Sequence, residues 1–290
     1  MSSIAWIDAE IEYGTGNIED LGGVKEDGSS FHSGSTQELV SFIKDIRFVC
    51  GHNIFKHDLK YIKDEVSSAG VLTENIIDTL YLAPLLFPTK PYHRLLKDDK
   101  LQPEDSNNPV IDSIKAKDLF NEEVTAFQRL DESLKEIFYG LLHDQLEFRA
   151  FFTFIGFAGK NEQIEELIWK EFNGEICVHA PLGKIIFEHP VELTYSLALI
   201  NCKHLYSITP RWVVRNFPEV ERIMHILRNK PCLTGCSYCD LALDVKRGLK
   251  EYFGFDSFRS YAGVPLQEKA AKAAVENKSL LAVFPTGGGK

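Results

Sequence analysis

Four carboxylates, Asp8, Glu10, Asp58 and Asp112, fall where side-chain periodicity otherwise directs apolar residues inward. Ile4-Ala5-Trp6-Ile7-Asp8-Ala9-Glu10-Ile11-Glu12 begins apolar and then alternates, so a strand sends Ala9 and Ile11 to one side and Trp6, Asp8, Glu10 and Glu12 to the other. Asp8 and Glu10 then sit about 7 Å apart on one face, which costs repulsion and desolvation unless a cation lies between them. Asp58 lies between Phe55 and Ile62 on the apolar stripe of an expected helix, and Asp112 shares a helical stripe with Ala116, Leu119 and Phe120. Two hard cations roughly 3.5 to 4 Å apart, one activating a water and one stabilising a leaving oxygen, need about four such carboxylates from several elements. Mg²⁺ or Mn²⁺ is the expected pair of ions.

The elements that must position these groups can be traced along the chain. Gly14-Thr15-Gly16-Asn17 is turn chemistry, and Ile18 to Val24 can return as a second strand. Ser35-Thr36-Gln37-Glu38 has the capping-box pattern of a helix start. Arg47 to Cys50 reads as a buried strand, broken at Gly51-His52-Asn53 before the helix that carries Asp58. Glu74 to Asp78 gives one more strand and Thr79 to Phe87 a helix. At Asn107-Asn108-Pro109 a further helix opens, with Asn108 suited to the N-cap and Pro109 to the first turn. Strands alternating with helices to about residue 125 imply an α/β fold, a mixed sheet flanked by helices. Residues 131 to 158 read as helical, and Phe148, Phe151, Phe152, Phe154 and Phe157 serve either packing between domains or base stacking.

The carboxylate pattern resembles the DEDD exonuclease superfamily, the proofreading and ribonuclease T type. Asp8-Ala9-Glu10 matches its first motif, Gly51-His52-Asn53 through Asp58 its second, and Asp112-Ser113-Ile114-Lys115-Ala116 its third. The resemblance covers about residues 4 to 125. It implies an RNase H-like fold that hydrolyses 3′-terminal phosphodiesters of single-stranded or 3′-ended DNA, or of RNA, with two metal ions. In that family a His five residues before the last Asp, or a Tyr four before it, orients and deprotonates the water. Here those places hold Asn107 and Asn108, and an amide cannot take the proton. His93, in Pro91-Tyr92-His93-Arg94-Leu95, is the candidate substitute, with an ordinary loop histidine as the alternative. Loss of the base would weaken catalysis by about 10²- to 10⁴-fold and leave metal binding intact; a nuclease-like module that binds ends without turnover is the competing expectation.

From about residue 161 the texture changes. Helices are expected at Glu162 to Phe172, Val191 to Ile200, about 218 to 229, Leu241 to Phe253 and Pro265 to Glu276, with a strand at Glu175 to Val178. Cys232-Leu233-Thr234-Gly235-Cys236-Ser237-Tyr238-Cys239 places three thiols in eight residues around a glycine, which suits a structural Zn²⁺; Cys202 is the expected fourth ligand, with Cys177 and His204 as alternatives. Iron–sulfur ligation and unligated thiols stay open.

Ser279-Leu280-Leu281-Ala282-Val283-Phe284 reads as a buried strand feeding Pro285-Thr286-Gly287-Gly288-Gly289-Lys290, a phosphate cradle. This looks like motif I of RecQ-type helicases, and Pro265-Leu266-Gln267 resembles their adenine-reading segment. Gln267, Thr286, Gly287, Gly288, Gly289 and Lys290 would then bind ATP in a longer nuclease–helicase, since the Ser or Thr that should follow the Lys is not in this sequence. The expected division is an exonuclease domain over 1–160, a mainly helical Cys-rich connector over 161–245 and a helicase start over 246–290.

Composition fits this outline. With 290 residues, 44% hydrophobic and 26% charged, the chain can bury roughly two cores. Six cysteines without a secretory leader point to a cytosolic setting with thiols or metal ligands, and no apolar run is long enough for a bilayer. A net charge of −10 argues against gripping nucleic acid over the whole surface, yet permits a local groove beside an acidic, metal-filled centre.

Overall fold

A computed structural model describes residues 3–93, 95, 108–160, 163–203, 208–261, 263–276 and 280–283. Two compact units are formed, one by residues 1–164 with 197–216 and the other by 165–196 with 217–290. No helix among the described residues is long and apolar enough to cross a membrane.

The first unit is α/β. Its strands are β1 (Ile4–Ile11), β2 (Ile18–Lys25), β3 (Ser30–Ser33), β4 (Phe48–Gly51) and β5 (Ile76–Asp78), and they form one mixed sheet in the order β3-β2-β1-β4-β5. β2 is antiparallel to β1 and β3, whereas β4 runs parallel to β1 and β5 to β4. The helices are α1 (Thr36–Ile43), α2 (Leu59–Ser68), α3 (Thr79–Leu86), α4 (Pro109–Arg129), α5 (Glu132–Leu142) and α6 (Leu146–Ile155), with the ends of α7 (Ile164–Glu171) and α9 (Pro190–Asn201) and all of α10 (Arg211–Asn216) also in its residue range.

Alternation on the central strand decides which helices cover which face. Ala5, Ile7 and Ala9 of β1 join Leu39 and Ile43 of α1 and Ile62 and Val66 of α2 in one core. Trp6 faces the other way, where its ring meets Phe120 of α4 at 6.1 Å and Lys117 lies over it at 5.1 Å. Phe154 of α6 meets Phe48 of β4 at 5.5 Å on the same side. The Phe-rich run is therefore packing within the first unit: Phe148, Phe151 and Phe152 are buried, and Phe151 meets both Phe120 and Phe127. No stacking platform is left on those three rings.

The second unit is mainly helical, with most of α7, α8 (Leu182–Glu188), the start of α9, α11 (Glu219–Met224), α12 (Ser237–Ala242), α13 (Val245–Phe253) and α14 (Leu266–Val275). Three expectations fail here. Residues 175–178 are turns, because Cys177 donates its amide to Leu227 O at 2.8 Å in an isolated bond instead of joining a ladder. The helix expected over Leu241 to Phe253 breaks at Leu243-Asp244, where the Asp244 carboxylate caps α13 by accepting from Arg247 N at 2.6 Å. Leu280 to Val283 form no strand and are exposed, Leu281 at 91%; a strand buried on both faces needs parallel neighbours and covering helices, which no described residues provide for this segment.

Candidate functional site

Asp8 and Glu10 leave β1 on the α4 face, beyond the Trp6–Phe120 contact. Asp112 reaches them from the first turn of α4, and the three half-buried side chains bring carboxylate oxygens within 4.8 Å of one another. Two local features bring the helix there. Asn108 caps α4 as its residue type suggests, its Oδ1 accepting from Val110 N at 3.0 Å and Ile111 N at 3.3 Å, with Pro109 at the first helical position. Gly22 pairs with Asp8 across the sheet, and its missing side chain is what lets the helix touch down: a Cβ there would stand 2.4 Å from both Pro109 C and Val110 N. Ser113, fully buried, then donates to Pro109 O at 2.7 Å and to Gly22 O at 3.3 Å, tying helix to strand.

Asp58 takes a different place from the one its periodicity suggests. The residues after β4 are turns and α2 starts only at Leu59, so Asp58 is the N-cap residue of α2 and not an interior helical position. It is 1% exposed, and its Oδ1 accepts from Ala9 N at 2.8 Å, the amide between Asp8 and Glu10. Asp58 is thus joined to the backbone of the acidic strand, though it is not among the three groups whose oxygens cluster. His57 Nδ1 stands 3.8 Å from the same oxygen; Asp58 raises the imidazole's pKa, and Glu10 acts in the same direction.

The loop that delivers Asp58 is held by Asp78 at the end of β5. Its carboxylate accepts from Asn53 N at 2.8 Å, Phe55 N at 3.1 Å and Leu80 N at 2.9 Å, and Asn53 adopts φ +66. Burial pushes the Asp78 carboxyl up to about 7 in spite of these three donors. Nothing in residue type separates Asp78 from an ordinary helix cap, which it also is, so its part in shaping the loop is invisible before folding.

His93 is buried beside His52 and Lys90 and is not a member of the carboxylate cluster. Burial, then Lys90, pushes its pKa down to about 4, and burial, then His93, does the same to His52. In the same interior, Glu123 of α4 is fully buried and neither carboxylate oxygen has a partner among the described residues; burial, then Asp78, holds its carboxyl well above the usual range. Asn107, His204 and the cradle residues Thr286, Gly287, Gly288, Gly289 and Lys290 lie outside the described residues. Gln267, in the first turn of α14, accepts from Arg259 N at 3.1 Å.

The cysteine expectation is corrected in one ligand. Cys232, Cys236 and Cys239 are joined by Cys177, the four sulfurs lying within 4.8 Å of one another, while the Cys202 thiol donates to Leu199 O at 3.0 Å. Cys177 reads from the sequence as an inward-facing strand residue, yet the turn it occupies aims its sulfur at the knuckle formed by the other three. Burial pushes the Cys177 and Cys239 thiols up. At Cys236 burial has the same sense but is outweighed by the amides of Cys239 and Val178, and the thiol comes down to about 6. Both the acidic group and the Cys₄ group could hold a metal ion.

No protein-family model, curated protein or solved structure significantly matches the chain.

Proposed function

We propose that the chain is a metal-dependent 3′→5′ exonuclease that hydrolyses terminal phosphodiesters of DNA or RNA, with Asp8, Glu10, Asp58 and Asp112 holding two Mg²⁺ or Mn²⁺ ions. The observation that carries this is the convergence of Asp8, Glu10 and Asp112, from a strand and a helix about a hundred residues apart, to within 4.8 Å. Three carboxylates gathered this closely offer an all-oxygen donor set, which suits a hard divalent ion. When bound, such ions lower the pKa of a water and stabilise the leaving oxygen. The chain's own part is positional. Gly22 and Asn108 seat Asp112, the Asp58–Ala9 bond fixes α2 against the acidic strand, and Asp78 shapes the loop between. The order β3-β2-β1-β4-β5 with β2 antiparallel supports the RNase H-like part of the reading.

The test uses end-labelled single strands. Trimming from the 3′ end that requires Mg²⁺ or Mn²⁺ and is lost in Asp8→Ala is expected; absence of metal-dependent trimming of both DNA and RNA would refute the enzyme reading, and competition between the two polymers would identify the sugar preferred. One observation favours a second reading, a module that binds 3′ ends without turnover: the Asn108 carbonyl is engaged in capping α4 and leaves no base at that place. Normal 3′-end binding without cleavage would select it. The RecQ-like reading of residues 246–290 would be tested by ATP binding and by its weakening in Gln267→Ala.

A further inference from the structure

The second unit carries a metal site of another kind. Cys177, in the turns after α7, faces Cys232, Cys236 and Cys239 of the C-x3-C-x2-C knuckle, all four sulfurs within 4.8 Å. Cys177 Sγ and Cys236 Sγ are 3.9 Å apart, too far for a disulfide, whose sulfurs lie about 2.05 Å apart. A tetrahedral ion with metal–sulfur bonds of about 2.3 Å spaces its ligands about 3.8 Å apart. The 3.9 Å between Cys177 and Cys236 matches sulfurs sharing one ion, and the other sulfurs lie within 4.8 Å. A multi-iron cluster distributes its thiolates over several irons bridged by sulfide and spreads them further. We infer that Cys177, Cys232, Cys236 and Cys239 bind a single Zn²⁺ as a closed structural tetrathiolate that ties the turns after α7 to α12.

The surroundings suit that role. Gly235, at φ +74, supplies the left-handed turn that lets Cys232 and Cys236 face the same point. The amide of Cys239 donates to Cys236 Sγ at 3.4 Å, an outer contact that orients a sulfur ligand. Among the described residues, Tyr238 and Leu243 are the apolar partners of the cysteines in this local core. Tyr238 donates its hydroxyl to Arg228 O at 2.9 Å, and Cys177 N donates to Leu227 O at 2.8 Å, so the site also joins the π-helical segment His225–Asn229 that follows α11. So small an apolar cluster is the setting in which a metal supplies the folding energy. All four ligands are cysteines, which leaves no open position for a substrate.

The inference does not rest on nuclease activity, and its test needs none. The 290-residue chain, purified without added metal, should contain one zinc per chain and no acid-labile sulfide. Replacing zinc by cobalt should give the sulfur-to-cobalt charge-transfer bands of a tetrathiolate, which carboxylate-bound cobalt does not show. Cys177→Ser should lose the zinc and Cys202→Ser keep it. Because Cys177→Ser could fail to fold, Cys177→His serves as the second variant: a Cys₃His set is itself a zinc set, so zinc should be retained and the cobalt charge-transfer intensity should fall by about a quarter. Iron with labile sulfide, absence of thiolate-bound metal in the native chain, or loss of zinc from Cys202→Ser with retention in Cys177→Ser would overturn the assignment.

Discussion

Gly22→Ala adds one methyl group at the place where α4 meets the sheet. Its Cβ would stand 2.4 Å from Pro109 C and Val110 N and 2.8 Å from Pro109 O, all backbone atoms that no rotamer change can move aside. Optimal carbon contacts begin at about 3.5 Å, so the start of α4 must retreat by about 1 Å. Overpacking of that kind costs about 1 to 3 kcal/mol. Part of this is offset, since alanine loses about 0.4 to 1 kcal/mol less chain entropy on folding than glycine. A net loss of about 0 to 2.6 kcal/mol follows. Asp112 sits in the helical turn that is displaced, and a shift of about 1 Å in a reacting constellation costs on the order of 10²-fold in rate. The expected signature is thus disproportionate: a melting temperature lowered by a few degrees, with metal-dependent 3′ trimming and Mn²⁺ affinity down far more. Gly34→Ala is the control, because its Cβ would meet nothing closer than Glu19 O at 3.5 Å. Differential scanning fluorimetry, Mn²⁺ titration and trimming rates on the three proteins decide the matter. A Gly22→Ala chain that binds Mn²⁺ and trims ends like the native one would refute the argument that this glycine seats the site.

Further outcomes follow from the same geometry. Asp112→Asn should abolish trimming and weaken Mn²⁺ binding while leaving the fold intact; trimming rates, Mn²⁺ titration and chemical denaturation check each. Asp58→Asn keeps an acceptor for Ala9 N and should fold normally with impaired trimming, whereas Asp58→Ala should also cost about 1 to 3 kcal/mol because a buried amide is orphaned. Glu123 has its folded pKa raised, so the stability its proton contributes is fully present below the unfolded value near 4.5 and is lost as pH rises toward the folded value. Relative to the native chain, Glu123→Gln should therefore gain by up to about 1.4 kcal/mol per pH unit above about pH 5, read from urea midpoints; a pH-independent difference would show that the carboxyl is not protonated in the fold.

The α/β class, the acidic face of β1 and the start of α4 were all legible because each rests on local rules: period-two alternation, Asn at an N-cap, Pro in the first turn. Asp58 departs from its helical periodicity for a physical reason. Helical periodicity runs smoothly from Phe55 to Ile62, but Asp78 competes for the amides of Asn53 and Phe55 and holds the first part of that segment in turns. The roles of Gly22 and Asp78 exist only once β2 and β5 are placed, although a glycine pair inside a strand pattern is a known sign of close backbone approach. Among the three candidates for the fourth ligand the sequence could not favour Cys177, which lies in an apolar run resembling a strand, because its place is set by long-range contacts such as the Cys177 N–Leu227 O hydrogen bond. The strand expected over Leu280 to Val283 shows the reverse error, since an apolar run specifies burial only where neighbours exist to provide it.

The Asp58–Ala9 bond closes a span of 49 residues, and Asp112 reaches Asp8 across twice that distance along the chain. Neither approach is encoded by a neighbouring turn, so each carries the loop-closure cost of a long-range contact and is expected to form after local helix structure. If the acidic group holds divalent metal as proposed, that binding should be a late property of this chain. During refolding, helical signal should recover well before Mn²⁺ binding does, and a partly folded chain that already has its secondary structure should remain blind to the ion.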